Sequence, residues 1–140
     1  MDELRLQNQL CFPLYVASKE VIRKYKPILD KLDLTYTQYI TMLVLWEQSN
    51  INVKTLGEVL FLDSGTLTPV LNKLESKNYI KKITNDKDKR NLVIEITEEG
   101  KALKERATSV PTEIGKCINL SREESIELYK LLYKMLGDIR

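Results

Sequence analysis

The chain has 140 residues, 43% hydrophobic and 30% charged, with 22 Lys and Arg against 20 Asp and Glu, two Cys and no His. That length and apolar content suit one domain with its own core, and a net charge of +2 is too small to favour disorder. Without His the commonest metal ligand and general base are missing, and two Cys cannot alone complete a four-thiolate zinc site; no metal or cofactor is expected, and most hydrolase chemistry loses its usual parts.

The longest uninterrupted apolar run, Met42 to Trp46, is far short of the roughly 20 residues that a membrane span needs. The polar start MDELRLQNQL lacks the apolar stretch of a signal peptide. The expectation is a soluble cytoplasmic protein with no membrane partner, in which Cys11 and Cys117 are free thiols rather than a structural staple. Taken singly, each Cys reads most simply as a small buried hydrophobe.

Apolar residues Leu6, Leu10, Leu14, Ala17, Val21, Ile22 and Tyr25 recur every three or four positions and predict an amphipathic helix. Pro13 interrupts it. Either the main helix starts near Phe12 with the proline in its first turn, or a longer helix bends there. Only the first option puts Cys11 near a helix N-terminus, where the macrodipole favours thiolate. Pro27 then opens a second short helix, Lys26 to Leu32. Thr35 and Gln38 form a capping box for a helix from Tyr36 to about Gln48, apolar nearly all round and therefore central.

Asn52 can cap a helix from Val53 to Leu60, and Asp63 or Ser64 caps the next, reaching about Lys77 with Leu67, Val70, Leu71 and Leu74 inward. Pro69 sits unusually deep in that helix for a residue without an N–H. Two short helices joined by a tight turn make a helix-turn-helix. Tyr79 to Thr84 and Leu92 to Ile96 are β-prone runs around a polar loop, residues 85–91, and read as a hairpin, which behind a helix-turn-helix is a wing. Thr97-Glu98-Glu99-Gly100 opens a helix to about Ile114. Ser121 and Glu124 form a second capping box for a last helix carrying Ile126, Leu128, Tyr129, Leu131, Leu132, Met135, Leu136 and Ile139.

Between residues 72 and 90 seven basic residues outnumber three acidic ones, whereas the segment from Leu120 to Arg140 is neutral. Positive charge thus gathers on the helix-turn-helix and wing, the footprint of a protein that neutralises phosphates, although a solvated charged face would look the same. Ser64, Gly65, Thr66 and Thr68 stand in the first turns of the second helix. There, short hydroxyls can meet base edges or phosphates, or simply cap.

The stretch Leu62-Asp63-Ser64-Gly65-Thr66-Leu67-Thr68-Pro69-Val70-Leu71-Asn72-Lys73-Leu74-Glu75, with Asp86-x-Asp88-x-Arg90 and Ile96-Thr97-Glu98-Glu99-Gly100, resembles the MarR family of winged-helix transcription regulators. Gln9-Leu10-Cys11-Phe12-x-Leu14-Tyr15, Tyr25-Lys26-Pro27 and Leu34-Thr35-Tyr36-Thr37-Gln38-Tyr39 are similar to its OhrR/MgrA/SarZ branch, which senses organic hydroperoxides or other oxidants through one N-terminal cysteine. The resemblance spans residues 9 to 105.

It implies a mainly α fold with a small β-hairpin wing, built as a MarR-type dimer. Residues 1–34 and 98–140 would be the helical dimerisation region and residues 35–97 the winged helix-turn-helix that binds DNA. Cys11 matches the peroxidatic cysteine, and Tyr25 and Tyr36 match tyrosines whose hydroxyls reach that sulfur across the dimer. Ser64, Thr66, Thr68 and Lys73 fall on the DNA-reading helix; Asp88 and Arg90 match a wing pair whose arginine enters the minor groove. Pro13 and Asn72 depart from the family pattern, the first beside the sensor cysteine.

A sulfenic acid formed at Cys11 needs a second thiol to condense with, and within the family that is either a cysteine of the other subunit or a small thiol. Cys117, in a loop between the last two helices, suits the first route, an intersubunit disulfide; the alternative is a buried bystander. The implied protein is a regulator rather than an enzyme. As a homodimer it occupies double-stranded inverted-repeat DNA and lets go when oxidised. A MarR-type repressor released by a phenolic ligand, and a thiol peroxidase using Cys11 and Tyr25, are the competing readings.

Overall fold

The computed structural model describes residues 2–85 and 88–137, the side chains of residues 85 and 88–90 excepted. Two 3₁₀ turns, Asp2–Leu4 and Leu6–Asn8, lead in. They are held by Asn8 Nδ2 donating to the Asp2 carbonyl and Gln9 Nε2 to that of Glu3, both at 2.6 Å. Helix α1 is Cys11–Asp30. Starting at Cys11 leaves Pro13 in the first turn, where a missing N–H costs nothing. The separate helix expected at Lys26 does not exist: α1 runs through Pro27 without a break. Arg23, whose carbonyl loses its partner, and Pro27 are both exposed, which leaves that carbonyl open to solvent, while Ile28 and Leu29 anchor the final turn in the core.

Helix α2, Tyr36–Gln48, starts from the expected capping box: the Gln38 N–H donates to Thr35 Oγ1 at 3.3 Å and the Thr35 N–H to Gln38 Oε1 at 3.1 Å. Its Met42 and Leu45 are fully buried, as its near-continuous apolar surface demands. A short strand β1, Asn50–Asn52, follows; three residues carry too little alternation to be seen beforehand. Helix α3, Val53–Leu60, is capped by Asn52, which accepts from the Lys54 N–H at 2.8 Å. The chain turns through Phe61 in left-handed backbone (φ 55°) into α4, Ser64–Ser76. Pro69 lies inside α4, and both it and Gly65, whose carbonyl goes without a helical partner, face solvent.

Strands β2, Ile80–Asn85, and β3, Asp88–Ile96, form the wing hairpin and pair with β1 in the order β1-β3-β2, all antiparallel. They reach further than the apolar runs suggest. Asn85 pairs with Asp88 beyond an irregularity at Thr84, so most of the expected polar loop is strand. After the hairpin the single helix expected to reach Ile114 is two, α5 Glu98–Ala107 and α6 Val110–Gly115. Pro111 is in the first turn of the second, and its lack of an N–H makes that a natural place to restart. Helix α7, Arg122–Gly137, opens on the Ser121/Glu124 capping box, the Ser121 N–H donating to Glu124 Oε1 at 2.8 Å.

The core lies where α2 meets α3, α4, the sheet and α5. Leu56, Leu74 and Ile94 are fully buried there, and Trp46 Nε1 donates to the Gly100 carbonyl at 2.8 Å to tie α2 to α5. The ends are different: residues 11–20 of α1 are all exposed, and α7 has no buried residue. No described helix is long and apolar enough to cross a membrane.

Candidate functional site

Helix α4 presents Ser64, Thr66, Thr68 and Lys73 to solvent, on the far side from its buried Leu67, Val70, Leu71 and Leu74. The cap is Asp63, not Ser64: its carboxylate accepts from the Thr66 N–H at 2.8 Å, and that backbone hydrogen bond holds its carboxyl below the usual range. The Ser64 hydroxyl is thereby left for other partners. Between α3, α4 and the sheet lies an open groove of about 920 Å³, lined by Lys54, Phe61, Ser64, Thr68, Lys82 and Leu92 among others.

Two of the basic residues counted toward this face do other work. Lys82 hydrogen-bonds Asn72 and lies 3.7 Å from Glu75, joining the wing to α4. Lys77 donates to Gln38 Oε1 at 3.0 Å and to the Asp33 carbonyl, fastening α4 to the turn before α2. Lys73 and Lys81 stay exposed. The backbones of Asp88 and Arg90 belong to β3, but the side-chain pair expected of them lies outside the described residues.

The tyrosines do come together. Tyr25 of α1 and Tyr36, the first residue of α2, have ring centroids 4.8 Å apart at 57°. Tyr39, one turn on, stands 5.9 Å from Tyr25 and 6.4 Å from Tyr36. Burial, with Tyr36 and Tyr39 alongside, pushes the Tyr25 phenol up to about 12. Burial also raises Tyr36, helped by Tyr133 of α7, and Tyr39, helped by Tyr36. All three hydroxyls therefore stay protonated near neutrality and can donate to an acceptor. Tyr39 reads in the sequence only as core; its position three residues after Tyr36, on the same helix face, is the signal that could have added it.

Both thiols are exposed, so neither is the buried hydrophobe that a lone Cys suggests. They stand far apart. Cys11 begins α1, and 14 residues of helix separate it from Tyr25, about 21 Å at 1.5 Å per residue. Cys117 sits at the opposite end: Lys24 Nζ donates to its carbonyl at 2.9 Å, and its Sγ donates to the Glu113 carbonyl at 3.5 Å. The same packing of α6 on α1 places Lys31 Nζ 3.3 Å from Glu113. Tyr25, Tyr36 and Cys117 thus share one end of α1 and Cys11 occupies the other. A disulfide needs Cα atoms within about 7 Å, which the length of α1 denies to the two cysteines of one chain. Both α1 and α7 carry exposed apolar side chains, Phe12, Leu14 and Ile22 on the first and Leu128, Leu131 and Met135 on the second.

A helix-turn-helix of α3 and α4 followed by the β2–β3 hairpin defines a winged-helix protein. A family model described as transcriptional regulator SarA/Rot matches residues 23–107. The organic hydroperoxide resistance transcriptional regulator of Bacillus subtilis (strain 168) is 44% identical over 138 residues, which are 96% of this chain and 92% of that protein. The HTH-type transcriptional regulator SarZ of Staphylococcus aureus (strain USA300) is 46% identical over 123 residues, 88% of this chain and 83% of that one. Among solved structures, reduced AbfR bound to DNA superposes with a TM-score of 0.77 at 32% identity, covering 99% of this chain and 98% of the other. The disulfide form of AbfR gives 0.68 over 99% and 94% at the same identity. The reduced form of MarR from E. coli gives 0.70 at 28% identity over 91% and 96%. The chain belongs to the SarA/Rot family of transcriptional regulators, with the MarR-type winged-helix fold.

Proposed function

We propose that this protein is a thiol-based oxidation sensor that works as a cytoplasmic DNA-binding homodimer and is a regulator rather than an enzyme. The observation that carries the reading is the division of the sensor parts along α1: the peroxidatic candidate, Cys11, at one end and its partners, Tyr25, Tyr36 and Cys117, at the other. Two copies packed with their α1 helices antiparallel bring each Cys11 to the other subunit's tyrosines and build two complete sites. The exposed apolar faces of α1 and α7 supply the contact, so residues 1–34 and 98–140 form the dimerisation region and residues 35–97 the DNA-reading region. The relatives support this chemistry: one carries organic hydroperoxide resistance in its name, and AbfR is known both reduced on DNA and with a disulfide formed.

In the reduced dimer two α4 helices enter major grooves about one helical turn, roughly 34 Å, apart on an inverted repeat. Ser64, Thr66, Thr68 and Lys73 contact the DNA from α4, and Asp88 and Arg90 from the wing. The Cys11 thiolate attacks an organic hydroperoxide, the tyrosine hydroxyls donating to the negative sulfur, and becomes a sulfenic acid. Cys117 of the partner subunit condenses with it. The disulfide moves the terminal helices and with them the α4 spacing; a loss of about 3 kcal/mol suffices to lower affinity more than a hundredfold.

The test is a gel shift on the DNA upstream of its own gene. Cys11→Ser should bind like the wild type and stay bound after cumene hydroperoxide; release of that variant by the peroxide would end the sensor assignment. Oxidised wild type should run as a cross-linked dimer on a non-reducing gel, and the band should vanish in Cys117→Ser.

A further inference from the structure

Lys24 takes no part in the proposed DNA binding or peroxide reduction, yet it makes a contact that no feature of the DNA-binding half explains. Its ammonium donates to the carbonyl of Cys117, 93 positions later, at 2.9 Å. Lys24 is the residue before Tyr25, so the turn that carries the second thiol is fastened at the level of the tyrosine cluster. We infer that Lys24 is a positioning residue for the second step of oxidation, holding the Cys117 turn where the partner subunit's Cys11 arrives as a sulfenic acid. This inference rests on the proposed resolving role of Cys117.

Atoms and electrons balance in both steps. The Cys11 thiolate takes the distal oxygen of the hydroperoxide; the O–O bond breaks, the alkoxide leaves as an alcohol with a proton, and the sulfur is oxidised by two electrons while the peroxide is reduced. The Cys117 sulfur then attacks the sulfenic sulfur, the S–S bond forms as the S–O bond breaks, and the hydroxyl leaves as water with the Cys117 proton.

The second step changes the local hydrogen bonding in a particular way. The Cys117 thiol donates to the Glu113 carbonyl at 3.5 Å, a contact that disappears when the proton is given up. The tie from Lys24 is to the backbone carbonyl and does not depend on the thiol, so it persists while the sulfur swings out. Backbone bonds shape the turn from within, the Cys117 N–H donating to the Ile114 carbonyl at 2.9 Å, and the Lys24 ammonium ties it to α1 while residues 115–117 stay exposed. Without the tie to α1 the sulfur would range over more positions, and holding it raises the effective concentration of the attacking group.

The experiment follows the full-length protein after cumene hydroperoxide, with sulfenate trapped by a dimedone-type probe, cross-linked dimer read on non-reducing gels and overoxidised Cys11 by intact mass. Lys24→Met, which keeps the aliphatic stem but has no donor, should form sulfenate at the wild-type rate and disulfide about tenfold more slowly, with more Cys11 lost to sulfinic acid. Lys24→Arg, which can donate to the same carbonyl, should restore the wild-type rate. Disulfide at the wild-type rate in Lys24→Met overturns the role of Lys24 and leaves Cys117 as resolver. Equal slowing in Lys24→Met and Lys24→Arg, with both melting lower, also overturns it, since packing alone would then account for the effect. Absence of the cross-link in the wild type removes the resolving role of Cys117 and this inference with it.

Discussion

The winged-helix half and the terminal helices α1 and α7 are both rich in apolar residues, but one chain completes only the first. Within α2 to α5, leucines and isoleucines such as Leu45, Leu56, Leu74 and Ile94 lose essentially all contact with solvent. On α7, Leu128 is 43% exposed, Leu131 52% and Tyr129 62%, although the helix carries as regular an apolar stripe as any other. Apolar residues left largely exposed along α7, with Leu132 and Leu136 half-buried, and along residues 11–20 of α1 point to surfaces awaiting a partner rather than to scattered surface residues. On the proposed reading, the DNA-reading half is a finished fold and the terminal helices are half of an interface.

The largest effect should come from breaking that interface. Leu128→Glu with Leu131→Glu places two carboxylates on α7 at side chains that are about half exposed in the isolated chain. Light scattering should show a monomer, and affinity for the inverted repeat should fall by a hundredfold or more because the two half-sites are no longer bound as one. A dimer of unchanged DNA affinity would place the interface elsewhere. The opposite kind of damage belongs to the other half. At Gly100 an added Cβ would stand 2.3 Å from the Tyr79 carbonyl oxygen and 2.7 Å from Ile96 Cγ1. Neither can retreat easily, since that carbonyl accepts the Thr97 N–H at 3.0 Å and the Gly100 carbonyl holds Trp46. Gly100→Ala should lower stability by about 3 kcal/mol in urea unfolding, at the upper end of overpacking losses.

The division between the halves also explains what could be read from the sequence. The capping boxes at Thr35 and Ser121, the caps at Asn52 and Asp63 and the inward face of α4 are local signals that tertiary packing left intact. Pro27 misled because the cost of a proline inside a helix depends on whether the freed carbonyl reaches water, which no local pattern tells. Strand β1 escaped because three residues pair only through β3, a non-local contact. At the candidate site, the sequence nominates both cysteines and two tyrosines, but their distribution over the two ends of α1 became clear only from the Lys24–Cys117 contact. The basic count over residues 72–90 overstated the DNA-facing charge, since Lys77 and Lys82 are engaged in joining elements of the fold.

A smaller effect is expected within the reading half, where some cations are proposed to contact DNA and others, such as Lys77 and Lys82, hold the fold. Arg90→Ala should weaken DNA binding about tenfold at physiological salt and lower the slope of log affinity against log salt by about one, the mark of a lost phosphate-region contact. Lys82→Ala, already paired with Asn72 and Glu75, should leave the slope unchanged. Equal slopes for wild type and Arg90→Ala would remove Arg90 from the interface.

The smallest effect concerns a group that belongs to both halves of the comparison. Tyr25 titrates near 12 in the folded chain against an ordinary value of 10.0, chiefly because burial disfavours its phenolate. Its contribution to stability is therefore complete below pH 10. As pH rises from 10 toward 12 the unfolded chain gives up this proton while the folded chain keeps it, so stability falls across that window and the contribution is gone above it. Urea midpoints at about pH 9, 10 and 11 should decline less steeply in Tyr25→Phe than in the wild type, with the rest of the decline owed in part to Tyr36 and Tyr39, which are raised in the same direction. Parallel declines would mean that the Tyr25 hydroxyl is solvated. The cause of the shift lies within a single chain, so the difference that Tyr25→Phe makes should survive in the monomeric Leu128→Glu, Leu131→Glu variant. If it vanishes there, the second copy and not α2 is what buries the tyrosine, and the line between the finished half and the unfinished one runs on the other side of this cluster.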